Sequence, residues 1–206
     1  MSAFPHSGDA TTPAAVARVE QARLARPNGW WGMALFVGTE ATLFGTLIGS
    51  YFYLRFNYVR WPPPGVPEPK VALPLILTAV LVATSLPLRG AVNAGLKGRR
   101  ARAWWLIALA LLVQTGYFAM QVHLFADDVQ KVDPQSSSYG SIYVTLVGAG
   151  HAHVFVGLLL DVWLLARLAT GLTRYRLVGL RVIAFYWYFV YVVSVAIVLT
   201  QISPAL

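Results

Sequence analysis

Cysteine is absent from the 206 residues, which excludes disulfides, thiolate metal sites and cysteine nucleophiles and leaves any chemistry to His, Asp, Glu, Tyr or a partner. Charge is scarce as well: Asp, Glu, Lys and Arg make up 12% of the chain, against about 25% in a soluble domain. Acidic residues are the rarer kind, eight against sixteen basic ones, and only Glu40 and Asp161 lie inside hydrophobic runs. No glycine loop suited to cradling phosphate is present, and Ser141, Ser194 and Ser203 have no base at a readable spacing, so no catalytic set emerges. No internal repeat is evident, and an inverted repeat of the transporter kind cannot be divided evenly among five helices.

What fills the chain is apolar. Hydrophobic residues make up 57%, against roughly 45–50% in a soluble domain. A hydrocarbon core of roughly 30 Å takes about 20 apolar residues per helix. Five runs meet that length: Trp30 to Leu54, Val71 to about Val92, Trp104 to Phe125, Tyr139 to Leu168, and roughly Val178 to Ile202. The expectation is an all-α polytopic membrane helix bundle with five transmembrane helices over residues 30–206, with no room for a second domain. Residues 1–29 are polar and rich in Ala, Pro and Arg, without the apolar core and cleavage site of a signal peptide; they read as a mobile N-terminal tail. Residues 55–70 hold five of the twelve prolines, which favours a stiff, extended loop. Pro87 predicts a kink near the far end of the second run.

The sixteen basic side chains divide unevenly between the two sides of such a bundle. With the tail cytoplasmic, twelve fall on its side, among them Arg89, Lys97, Arg100, Arg167 and Arg181, and only Arg55, Arg60, Lys70 and Lys131 fall opposite. The positive-inside rule therefore places the N-terminus in the cytoplasm. The net charge of +8 thereby has a topological cause, and no nucleic-acid partner is called for.

The helices have distinct faces. In the first, Gly38, Ala41, Thr42, Gly45 and Gly49 fall within about 100° of arc at 3.6 residues per turn, so another helix can approach closely there, either within this chain or from another subunit. Glu40 points about 140° away from Gly45 and sits near mid-membrane, about 15 Å past Trp30. An unpaired carboxylate there costs about 2.5 kcal/mol or more, so Glu40 is either protonated or paired, in a structural or a functional role. In the fourth helix Gly150, His153, Gly157 and Asp161 share about 80° of arc, a polar small-residue stripe that should face the bundle. His151 lies about 160° from His153, so the two cannot share a metal along a regular helix and no metal site is expected. In the fifth, Tyr186, Trp187, Tyr188 and Tyr191 belong to six aromatics in seven positions, more than one interfacial belt needs; packing and a tyrosine proton relay are both open.

Three blocks in order resemble the subunit III family of the haem-copper oxidases, the family of cytochrome c oxidase subunit III. The run from Trp31-Gly-Met-Ala-Leu-Phe through Glu40 to Tyr51-Phe-Tyr-Leu-Arg55 is similar to its G-M-x-L-F-x-x-x-E core. Tyr139-Gly-Ser141 and His153-Val-Phe-Val-Gly157 resemble its Y-G-S and H-V-x-x-G blocks, and Tyr186-Trp187-Tyr188-Phe189-Val190 with Val192-Val193 its terminal Y-W-H-F-V-D-V-V. The likeness covers roughly residues 30–200, matching the last five of seven helices in the long members. By motif match Glu40 takes the place of the family's buried glutamate and His153 that of the second histidine of H-x-x-H. Gly150 stands where the first histidine is usual, Tyr188 where the last helix has histidine, and Tyr191 where it has aspartate; His151 could substitute for the missing histidine.

The resemblance implies an accessory, non-redox subunit of a terminal respiratory oxidase that passes electrons from cytochrome c or a similar donor to oxygen. It implies no cofactor in this chain, haem and copper in partner subunits, bound phospholipid, and catalytic subunit I as a partner, with subunit II and other small membrane subunits. It also implies support of proton uptake and a bacterial-type cytoplasmic membrane. The alternatives are a subunit III-like partner of a nitric oxide reductase, which short members of the family also serve, and a small membrane transporter or channel with Glu40, His153 and Asp161 as midplane sites.

Overall fold

The computed structural model describes residues 27–64, 66, 71–132, 134–135 and 137–205, and among them every regular element is helical. Helix α1 covers Asn28–Asn57, α2 runs from Ala72 to Leu96 in two halves, α3 covers Arg100–Lys131, α4 Ser138–Ala169 and α5 Arg174–Ile202. All five are long and apolar enough to cross a membrane, and the chain is an integral membrane protein. Of the tail, residues 1–26 lie outside the described residues, and Asn28 and Gly29 already belong to α1.

Local chemistry sets the helix ends. The Ser137 side chain accepts from Gly140 N–H at 3.0 Å at the start of α4, and Thr173 accepts from Arg176 N–H at 3.3 Å at the start of α5. Each satisfies one of the first-turn donors that a helix leaves unpaired. At the other end of α4 the Arg100 guanidinium donates to the carbonyls of Leu168 (2.7 Å) and Ala169, meeting acceptors the helix leaves open. The Arg55 guanidinium does the same for α5, donating to the Ser203 carbonyl at 2.9 Å. Thus two of the sparse cations fasten the ends of neighbouring helices.

Helix α2 breaks between Ala72–Ala83 and Ser85–Leu96, three residues before Pro87. Proline has no N–H and its ring displaces the carbonyl four residues back, here that of Ala83, so the disturbance falls upstream of the proline itself. Thr84 at the break closes a tighter turn, with both its N–H (3.1 Å) and its hydroxyl (2.6 Å) on the Leu81 carbonyl. The loop after α1 is ordered over its described part: the Trp61 ring meets Tyr51 and Tyr139 edge-on, with centroids 5.5 and 5.0 Å apart.

Helix α5 is the hub. It packs against α1, α2 and α4, while α3 packs against α2 and α4; α1 and α2, consecutive in sequence, do not touch. Helices α2, α3, α4 and α5 thus form a four-membered ring with α3 diagonally across from α5, and α1 lies in the outer groove between α4 and α5. Trp187, Tyr186, Leu180, Leu164 and Leu146 are almost wholly enclosed in the core that results.

Candidate functional site

Two polar clusters interrupt the apolar interior. The first joins α1 to α4: Glu40 Oε2 lies 3.1 Å from His153 Nε2, both side chains mostly covered. His153 Nδ1 is 2.8 Å from the Ala149 carbonyl, which can only accept, so Nδ1 carries a hydrogen. Nε2 then either accepts from a protonated Glu40 or, in the imidazolium, donates to the carboxylate. The two states differ by one proton moved within the pair and both are neutral overall, which removes the cost of an unpaired charge in the membrane. Phe44 stands edge-on to the imidazole at 5.0 Å, Phe189 at 6.1 Å, and the Tyr186 hydroxyl donates to the His153 carbonyl at 2.8 Å.

The second cluster lies where α2, α3, α4 and α5 meet. Asp161, Gln114, Thr84 and Tyr191 are all buried. With its amide nitrogen toward the carboxyl, Gln114 donates to Asp161 Oδ2 at 2.9 Å and to the Ala110 carbonyl at 3.2 Å, and its oxygen faces the Thr84 hydroxyl at 3.1 Å. The opposite orientation sets the amide oxygen against acceptors, so the network chooses the first. Thr84 Oγ1 is also 2.8 Å from the Tyr191 hydroxyl. The Trp187 indole N–H is the donor nearest the Asp161 carboxyl and interacts with it, though at a looser geometry than a full hydrogen bond.

The stripe on α4 therefore divides. Gly150 and Gly157 are contact points with α5: a Cβ on Gly157 would lie 2.6 Å from Trp187 Cζ2, and one on Gly150 2.8 Å from Ile197 Cδ1. His153 and Asp161, two turns apart, serve different clusters. His151 does not replace the histidine missing at Gly150, because it points to α3, its ring 5.1 Å from Phe125 and 6.4 Å from Phe118. Among the described residues no three His, Asp or Glu side chains are grouped to hold a metal.

The structure also distributes two further groups of residues. Among the described residues no other helix covers the small-residue face of α1, since a Cβ added at Gly38, Gly45 or Gly49 would meet nothing within 4 Å and Ala41 is exposed. Helix α1 instead turns its other side inward, burying Phe44 and Tyr51. The aromatic cluster of α5 also splits: Tyr186 and Tyr191 reach separate clusters, Trp187 fills the core, and Tyr188 is 40% exposed. Sequence reasoning missed Gln114 and Thr84. Gln114, Tyr117, Gln121 and Asp128 follow one another at spacings of three, four and seven residues on α3, the pattern of one helix face, and that stripe was the available clue.

Comparison with known proteins places this geometry. Residues 22–202 match the family Cytochrome c oxidase subunit III. Cytochrome c oxidase subunit 3 of Bacillus subtilis is 30% identical over 183 residues, 86% of this chain and 87% of that protein. A Nocardia farcinica protein described as "Probable cytochrome c oxidase subunit 3" is 31% identical over 175 residues, 82% of this chain and 84% of its own length. Cytochrome c oxidase subunit 3 of the turtle Pelomedusa subrufa is 26% identical over 170 residues, 79% of this chain but 64% of the longer relative. The positions singled out by motif, Glu40 and His153, meet between α1 and α4, and the chain belongs to the cytochrome c oxidase subunit III family.

Proposed function

We propose that this chain is the accessory, non-redox subunit III of a haem-copper terminal oxidase, lying beside catalytic subunit I in a bacterial-type cytoplasmic membrane with its N-terminus in the cytoplasm. In this role it braces the catalytic subunit, holds phospholipid against it and supports proton uptake, while subunit I and its neighbours hold the haem and copper. The observation that carries the reading is the Glu40–His153 contact. Two residues 113 positions apart, each matched to a motif of the family, meet at 3.1 Å between two spans. The absence of a catalytic set in the sequence fits a subunit that supports chemistry done elsewhere.

Purification in mild detergent followed by a reduced-minus-oxidised spectrum tests this directly. Co-purification with haem and copper at a stoichiometric level is the expected result. A partner holding non-haem iron in place of copper would transfer the chain to a nitric oxide reductase. Haem bound to the isolated chain, or ion flux through vesicles containing it alone, would sink the reading. Within the complex, Glu40→Gln should leave assembly intact and change lipid retention or the rate of inactivation during turnover; an unchanged lifetime would make the pair purely structural.

A further inference from the structure

Four arginines are held by the fold. Arg55 donates to the Ser203 carbonyl, Arg100 to the carbonyls of Leu168 and Ala169, and Arg176 to that of Gly171, while Arg167 lies over the Trp163 ring. Arg89 is different. It is exposed, and among the described residues its guanidinium has no hydrogen bond, ion pair or ring contact; Glu40 with His153 is the one ion pair there.

Among the described residues Arg89 is also the deepest cation. It stands seven residues before the end of α2 at Leu96, about 10 Å along the axis. Packing gives the same depth: a Cβ on neighbouring Gly90 would lie 3.2 Å from Leu106 Cδ1, and Leu106 is six residues into α3. Arg181 is likewise seven residues into α5, but Gly95 in the last turn of α2 meets Leu177 and Leu180. Helix α5 therefore begins further out, and Arg181 stays near the end of the bundle. The 25 residues of α2 extend about 37 Å against a hydrocarbon core of roughly 30 Å, so the Arg89 backbone lies inside that core.

Long cations usually escape by reaching back to the headgroups, and the helix direction works against this here. Side chains lean toward the N-terminus of their helix, and α2 ends, rather than begins, at the nearer surface. The stem of Arg89 therefore leans toward mid-membrane. Asn93, exposed one turn nearer that surface on the same face, adds an amide just above it, and exposed Leu86 and Leu96 border the pair. A charge so placed needs a counter-charge at its own depth, and a guanidinium fork suits a carboxylate, which it can hold by two bonds. A second copy of this chain offers none among its described residues: Asp161 is buried, Glu40 is taken by His153, and Asp127 and Asp128 lie at the far end of α3.

We propose that the outer face of α2 around Arg89 and Asn93 docks a transmembrane helix of a partner subunit, one that carries an Asp or Glu about two turns in from the same end of the bundle. The pairing is deep, so it fixes both the depth and the rotation of the partner helix. This rests on the reading above in requiring a partner, and it adds which surface of the chain that partner meets.

The test uses the full chain in its own membrane. p-Benzoylphenylalanine in place of Leu86 should, on irradiation, join the chain to a transmembrane peptide of a stoichiometric, haem-containing complex, and that peptide should contain the carboxylate. Arg89→Leu should lower the share of complex that keeps the chain through detergent purification by about tenfold or more, Arg89→Lys by less. Arg89→Glu should be excluded, and readmitted when the cross-linked carboxylate is changed to Arg. The melting temperature of the isolated chain should be the same for Arg89→Leu and the native sequence, which separates docking from folding. Adducts with lipid alone would assign the face to a headgroup and overturn the proposal, as would adducts only with a second copy. Native retention of Arg89→Leu in a complex holding haem and copper would overturn the docking surface and leave the reading above intact. A native chain that brings down no haem protein would overturn both.

Discussion

Helices α1 and α5 are both apolar spans of similar length, 30 and 29 residues, yet they live in different surroundings. Helix α5 is touched on nearly every side and buries fourteen residues, Trp187 and Tyr186 among them; α1 buries two, Phe44 and Tyr51. Hydropathy reports only that each can leave water. What separates them is where small residues meet large ones: glycines of α4 receive the rings and branches of α5, whereas those of α1 face away from the other described helices. In a membrane, where lipid is as apolar as a side chain, such close packing is what holds helices together.

The sharpest way to break this contrast is to fill a glycine on each side of it. Gly157→Leu forces a branched side chain against the enclosed Trp187 ring and should cost about 3 kcal/mol or prevent folding altogether, read as loss of the monodisperse, heat-resistant subunit in detergent. Gly45→Leu meets nothing and should change the chain's own thermal stability by less than about 0.5 kcal/mol. A large loss there would mean that α1 closes on another helix of the same chain.

Next in size is the link between the two regions. Glu40→Leu leaves His153 Nε2 without its partner inside the membrane and should destabilise by roughly 3–5 kcal/mol, as breaking a buried pair does. Glu40→Gln keeps a hydrogen-bonding group at 3.1 Å and should lose far less. Equal melting temperatures for the two variants would show that the contact contributes nothing to the attachment of α1.

A smaller effect is expected at Tyr191→Phe, which deletes the hydroxyl beside Thr84 and should cost about 1–3 kcal/mol in the same assay. Smallest are Thr39→Val and Thr46→Val on α1, whose hydroxyls merely return to carbonyls of their own helix at 2.7 Å. Their loss should be within measurement error, and anything larger would assign that face a partner inside the fold.

The sequence disclosed the five spans because length and apolarity are properties of a single segment. It placed the kink three residues late, since Pro87 acts on the carbonyl behind it. Glu40 and His153 were legible as costly residues needing partners, but their pairing depends on α1 lying against α4, a relation between helices that no segment encodes. The same gap hid Gln114, an unremarkable amide until α3 brings it to 2.9 Å from Asp161. Tyr191 stands where the resemblance expects an aspartate, and the structure supplies Asp161 from α4 to the cluster that Tyr191 enters.

The seating of α5 between α1 and α2 has a consequence for biosynthesis. A ribosome delivers α1 and α2 to the membrane in succession, yet neither has a surface for the other. They must wait, each solvated by lipid, until about eighty further residues have emerged and α5 slides between them. During that interval Asp161 and Gln114 can already meet, because α3 and α4 are neighbours, whereas Glu40 has α4 but not yet the Tyr186 and Phe189 that enclose its pair. The half-made chain is therefore a set of loosely associated spans whose Glu40–His153 pair is still incompletely enclosed. Its lifetime, set by the arrival of one helix, would govern how much subunit reaches the assembled complex.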